Sequence, residues 1–245
     1  MTNLDYSQLF QSRGHKYQAA MQRYPNARDQ EFKQAINKVH FNSETTIVDV
    51  PARGAYLQRY LPDSCIYRPY EPCTNFLNAD QSPVNPLLPL PFEDDSADIV
   101  FSIAGMHHQA DKKAVYRELY RIMAKSSQLV VADVHQDSSV ANFLDLFVGN
   151  HNSTGHQGLY LNSNSLPELS SAGFQIQSAE RIACPWQFNN TQEMANFCRS
   201  LFDLQSITAS KIISAIECSL GITSEHNKVS MNWELFYIVA NKQSK

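Results

Sequence analysis

Apolar positions recur along this chain in two rhythms, and the switches between them mark out its elements. Tyr17, Met21 and Tyr24 share one helical face, and Phe32, Ile36 and Val39 continue it after Pro25, so residues 15–39 are predicted as helix with one break. Strands and helices then alternate. Thr45–Val50 is a β-branched strand, Ala55–Leu61 a helix ended by Pro62, and Ser64–Tyr67 a second strand before Glu71. Four prolines in residues 81–91 allow only a short edge strand or an extended loop there. Asp98–Ile103 is a buried strand. Val115, Leu119, Ile122 and Met123 form an amphipathic helix, and Gln128–Val134 is the next strand.

The same alternation runs to the end of the chain. Val140–Val148 is a predicted helix, residues 149–162 a polar loop, Ser165–Ala172 a helix closed by Gly173, and Phe174–Ile182 a strand. Asn190–Leu204 and Ile207–Leu220 read as a helical pair, and Trp233–Ala240 as the last strand. Repeated strand-then-helix units with buried strands predict an α/β fold with a doubly wound, mostly parallel sheet. A chain of 245 residues, 43% hydrophobic, fits one such domain. Residues 1–40 are expected to form a helical cap, and residues 184–229 a helical insertion before the last strand.

Charge and cysteines narrow the partners. The net charge is −4 with no basic stripe, which disfavours nucleic acid. Cys65, Cys73, Cys184, Cys198 and Cys218 are odd in number and include no C-x-x-C pair, the pattern of reduced thiols in a cytoplasmic protein. The polar start MTNLDYSQLF does not read as a signal peptide, so none is expected, and no run reaches membrane-spanning length. A homodimer is compatible with the apolar helical pair.

The stretch TTIVDVPARGAY stands where an open α/β sheet presents a nucleotide-like ligand: a strand ending in Asp49, a tight turn, then a helix. Together with YRPYEP, LPLPFEDDSADIVFSIAGMHH, YRELYRIMAKSSQLVVADV, SAGFQIQSAERI and WELFYIVANK, it resembles the class I S-adenosylmethionine-dependent methyltransferases of the "methyltransferase type 11" style over roughly residues 40–240. The resemblance implies a seven-stranded, Rossmann-like sheet with the last strand inserted antiparallel. It implies S-adenosylmethionine as cofactor and a methyl group transferred to O or N of a small molecule. It places Asp49 beside the cofactor's methionine portion, Glu71 on the ribose hydroxyls, and Asn85 or the Pro86–Leu87 backbone at the adenine. Ile103–Met106, including Ala104 and Gly105, would lie under the sulfonium.

The glycine loop departs from that family. Its three glycine positions are Pro51, Arg53 and Ala55, and only Gly54 supplies glycine's conformational freedom. Arg53 replaces a glycine that normally lets backbone approach the ligand. Three readings stay open: the side chain swings into solvent, it forks onto a carboxylate, or it blocks the pocket and leaves a non-catalytic binding or scaffold protein, or one with an altered cofactor or reaction.

Methyl transfer needs alignment, exclusion of water and, for weakly acidic acceptors, a base. Histidine suits the last task. His107 and His108 follow a strand's carboxyl end, and His156 lies in the polar loop HNSTGHQG. Asp133, His135 and His151 are further candidates. The spacing lacks H-x-x-x-H or any closed nitrogen–sulfur set, so no metal is expected. Arg28 could meet an anionic substrate or form a surface salt bridge.

Overall fold

The computed structural model describes residues 6–76 and 85–243. Its main sheet has six strands in the order β2-β1-β3-β4-β9-β5. These are β1 (Thr46–Asp49), β2 (Ile66–Pro69), β3 (Ala97–Ile103), β4 (Met123–Asp133), β5 (Phe174–Ala183) and β9 (Glu234–Lys242). β2, β1, β3 and β4 run parallel, and β9 is inserted antiparallel between β4 and β5. The predicted doubly wound architecture holds, with six strands among the described residues. Residues 85–91 form no strand, in keeping with their prolines, and residues 81–84 lie outside the described set.

β-Branched and apolar residues fill the central strands because both sheet faces are covered. Ile47, Phe101, Val130 and Tyr237 belong to the core on one face, with α1 (Tyr6–Arg23) and α2 (Asp29–Ile36). Val48, Val100, Leu129 and Ile238 belong to the other, under α3 (Lys112–Ile122). Asp111 caps α3 by accepting the Ala114 N–H at 2.9 Å.

Several elements differ from expectation. α1 is already helical at Tyr6, the first described residue, nine residues before the predicted helix. The predicted helix at 55–61 is a single 3-10 stretch, Tyr56–Tyr60, squeezed between left-handed Ala55 and Pro62. Residues 139–151 are helical throughout, with a π-helical middle at Phe143–Val148. The helical pair is present as Thr191–Leu201 and Ala209–Ser219, capped by Asn190 and Thr208. Beside it lies an unpredicted three-stranded sheet: β6 (Trp186–Phe188), β7 (Ile222–Glu225) and β8 (Lys228–Met231) in the order β6-β8-β7.

Candidate active site

The carboxyl ends of β1, β3 and β4 open toward α1, which lies across them. The loop after β1 keeps the left-handed path of a glycine loop without its glycines: φ is +44° at Arg53, +89° at Gly54 and +60° at Ala55. Two non-glycine residues there carry steric strain of about 1–2 kcal/mol each, the kind of cost that persists where surrounding structure enforces it. Gly105 explains how Pro51 fits. A Cβ on Gly105 would stand 2.6 Å from Pro51 Cγ, so the end of β3 accepts the proline ring only because residue 105 is glycine.

Arg53 does not swing into solvent. It is 7% exposed, and its guanidinium lies over the rings of Phe10 and Tyr17, 5.2 and 5.6 Å from their centroids. Its Nε and Nη2 have no hydrogen-bond partner. Arg13 of α1 is in the same condition, 4% exposed with Nε and Nη1 unpartnered. Burial, with Arg53 adding to it against Asp203, pushes Arg13 down to about 10.

Glu71, the expected ribose acid, stands just past β2. It accepts the Tyr6 hydroxyl at 2.7 Å and the Arg53 N–H at 2.9 Å on Oε2, and the Cys73 N–H at 3.0 Å on Oε1. Ribose hydroxyls are donors, as is the Tyr6 hydroxyl, so this carboxyl has the chemistry the ribose requires. The residues therefore fit S-adenosylmethionine at this end. Asn85 is exposed, and its backbone carbonyl accepts the Ser7 hydroxyl at 2.8 Å.

Asp49 accepts the Tyr67 hydroxyl at 2.7 Å, yet burial pushes its carboxyl up to about 7. The folded protein therefore holds a proton that the unfolded chain, near 3.9, has released. Stability from this group is present at low pH and is lost as pH rises from about 4 through about 7. Asp49→Asn should remove that loss, worth of order 2–4 kcal/mol at pH 8. Urea midpoints at pH 5 and pH 8 check it: the wild-type midpoint should fall more than the variant's, and parallel shifts would refute the assignment.

At the β3 and β4 ends a histidine cluster forms. His107 Nδ1 lies 2.6 Å from Asp133 Oδ1, and the His107 backbone N–H donates to Oδ2 at 3.0 Å. Burial alone would raise Asp133, but His107 and the Val134 N–H hold its carboxyl below the usual range. His156 arrives from the polar loop, its Nδ1 3.4 Å from Asp145. One ring nitrogen of each of His107, His108 and His156 falls within 4.8 Å of the others. Sequence spacing could not show this set, since His156 is folded back across a long loop. Burial lowers His108 well below its ordinary value, with the other two histidines and both arginines adding to it, and burial also lowers His156. His135 and His151 stay outside: the first packs on Phe236, the second points Nδ1 at the Phe147 carbonyl at 2.9 Å.

A cavity of about 50 Å³ joins these groups, lined among others by Arg13, Arg53, His107, His108, Trp186, Phe202 and Trp233. Arg28 borders it too, but the expected surface salt bridge is instead a buried one. Arg28 is 3% exposed and Glu31 0%, with Arg28 Nε 3.0 Å from Glu31 Oε2.

Residues 73–131 match the family model described as "Methyltransferase domain". No curated protein matches the sequence. Among solved structures, the protein found in complex with the Haloferax volcanii Trm112 methyltransferase activator aligns with 15% identity and TM-score 0.63, over 96% of this chain and 98% of that one. An S-adenosylmethionine-dependent methyltransferase of Thermotoga maritima aligns with 14% identity and TM-score 0.60, over 98% of this chain and all of that one. Phosphoethanolamine N-methyltransferase 2 of Haemonchus contortus, solved with phosphomonomethylethanolamine and S-adenosylhomocysteine, aligns with 10% identity and TM-score 0.62, over 98% of this chain and 61% of that one. The chain has the Rossmann-like fold of these solved methyltransferases, and the stretch that matches the methyltransferase-domain model, residues 73–131, lies within it. No helix among the described residues is long and apolar enough to cross a membrane.

Proposed function

We propose that this protein transfers the methyl group of S-adenosylmethionine to an oxygen or nitrogen of a small molecule held in the cavity beneath α1. The observation that carries this reading is the His107–Asp133 pair beside that cavity. Bound cofactor would supply an electrophilic methyl on sulfonium, its ribose held by Glu71. Asp133 fixes the Nδ1–H tautomer of His107, which leaves Nε2 as the free acceptor. The acceptor's O–H or N–H gives its proton to Nε2 as its lone pair becomes the nucleophile. Phe10, Tyr17, Trp186, Phe202 and Trp233 wall the cavity with aromatic rings and keep water out.

Calorimetric titration with S-adenosylmethionine and S-adenosylhomocysteine tests the reading. Binding of both in the micromolar range is expected. A folded protein that gives no heat at millimolar ligand would sink it.

A further inference from the structure

The unpartnered polar atoms on the residues lining this cavity share one sign. Arg13 contributes Nε and Nη1, Arg53 Nε and Nη2, and Trp233 Nε1; all are buried donors without an acceptor. A buried donor left unpaired is costly, and more so when it is charged. Among the described residues the neighbouring carboxylates are already engaged, Asp49 by the Tyr67 hydroxyl at 2.7 Å. Glu71 is engaged by Tyr6, Arg53 N–H and Cys73, Asp133 by His107, and Asp145 by Tyr160 at 2.6 Å and by the Gly158 N–H at 3.1 Å. Asp203 is held by Lys16 at 2.5 Å and by Ser153 at 2.5 Å. Arg28, the third arginine at this cavity, is paired with Glu31 and has no unpartnered nitrogen to offer.

Five unpartnered donor nitrogens, four of them on two guanidiniums, disfavour a cation. The three histidines could reach a metal ion by distance, but the two guanidiniums would face that charge unpaired. The same donors suit an acceptor-rich anion, which arginine forks bind in bidentate fashion.

We propose that Arg13 and Arg53 together bind one oxyanion, a carboxylate or phosphate carried by the methyl acceptor on an apolar frame. This rests on the methyl-transfer reading for the word acceptor, and on the cavity alone for the anion. The placement of Arg13 favours the acceptor over the cofactor's own carboxylate, and Arg53, whose backbone N–H donates to Glu71 at 2.9 Å, lines the same cavity. Tyr6, Phe10, Arg13 and Tyr17 follow one another at spacings of four, three and four, so they form one stripe of α1. Tyr6 is at the ribose acid, and Arg13 is about 10 Å further along the axis at 1.5 Å per residue. Tyr17, one turn further on, stands beside Arg28, whose guanidinium lies over Trp186. The stripe thus runs from the ribose end to the wall formed by Trp186, Phe202 and Trp233, whose stacked rings suit a flat apolar body.

The test uses benzoate and inorganic phosphate as probes, benzyl alcohol as the uncharged control, and no methyl transfer. Wild-type protein should bind at least one oxyanion with a millimolar or tighter Kd and be raised in Tm by it, while benzyl alcohol does neither. Arg13→Met and Arg53→Met should each weaken that binding at least tenfold. Without anion both should melt at or above the wild-type temperature, because an unpaired buried charge has been removed. A merely structural arginine would give the opposite sign, a lower Tm with unchanged binding, and that result overturns the proposal. So does the absence of oxyanion binding in the wild type. A third arm separates the source: if the two variants lose affinity for S-adenosylhomocysteine but not for methylthioadenosine, with benzoate and phosphate unaffected, the anion is the cofactor's carboxylate. Because the probes need no cofactor, failure of the methyl-transfer reading leaves the oxyanion measurement standing.

Discussion

His107→Gln should lower kcat for methyl transfer by about 10²–10⁴, the range in which a positioned base contributes. Affinity for S-adenosylhomocysteine should be unchanged, because Glu71 and the loop after β1 lie on separate elements. Asp133→Asn should lose a comparable amount by a different route. The asparagine amide can donate to Nδ1, which turns the imidazole to its other tautomer and puts a proton on Nε2 where an acceptor is needed. Single-turnover transfer of labelled methyl, with a hydroxylated or amino acceptor that supports turnover, measures both. The loss should be largest for hydroxyl acceptors and smallest for acceptors already deprotonated at the assay pH. If His107→Gln stays within threefold of wild type on a hydroxyl acceptor, the pair only supports the β3 and β4 ends and alignment alone drives the reaction. A paired Asp133 alone would also rigidify the site, so the dependence on acceptor acidity is the readout that separates base from brace.

The sheet was legible because its strands are short apolar runs between turn signals, and Ala97–Ile103 and Leu129–Asp133 are buried almost without a break. The small sheet was not. Ile222–Glu225 is mostly exposed, and its hairpin turns through His226 and Asn227 at φ +50° and +60°, a primed turn built without the usual Asn-Gly. The first turns of α1 were hidden because their buried stripe includes Arg13, and an arginine at an apolar-stripe position breaks the helical pattern. At the site, Glu71 and the His107–His108 pair follow from position along strands, which a one-dimensional pattern records. The fate of Arg53 does not. Its cavity is closed by Phe10 and Tyr17, some forty residues away, and only the docking of α1 across the sheet turns the guanidinium inward. The strain at Arg53 and Ala55 was equally invisible, because a glycine loop is recognised by its glycines and here the backbone path survives without them.

Arg28→Met should cost about 3–5 kcal/mol of stability, the penalty of breaking a buried ion pair. Arg28 looks like a polar residue between two helices, yet it is the centre of a buried network. It reaches Glu31 through Nε and Nη2 and the Tyr17 hydroxyl through Nη1, and its guanidinium lies 5.2 Å from the Trp186 ring centroid. Glu31 in turn accepts the Trp186 Nε1–H at 2.6 Å, and its backbone carbonyl accepts the Tyr237 hydroxyl at 3.1 Å. One charge pair thus ties α1, α2, β6 and β9. Burial by itself would lower Arg28, but Glu31 and Tyr17 hold it above its ordinary value, so the guanidinium stays charged. Removing it leaves a fully buried carboxylate with a single indole donor, and the penalty is that of an uncompensated charge rather than of a lost contact. For a chain of this size the melting temperature should fall by about 10 °C. Arg28→Met combined with Glu31→Gln should recover most of the loss, because the amide oxygen keeps a partner for Trp186 and no net charge remains inside. Thermal and urea denaturation of the wild type, the single variant and the double variant decide it. A double variant no more stable than Arg28→Met would show that packing against Tyr17, Phe32 and Trp186, not charge, carries the energy of this corner.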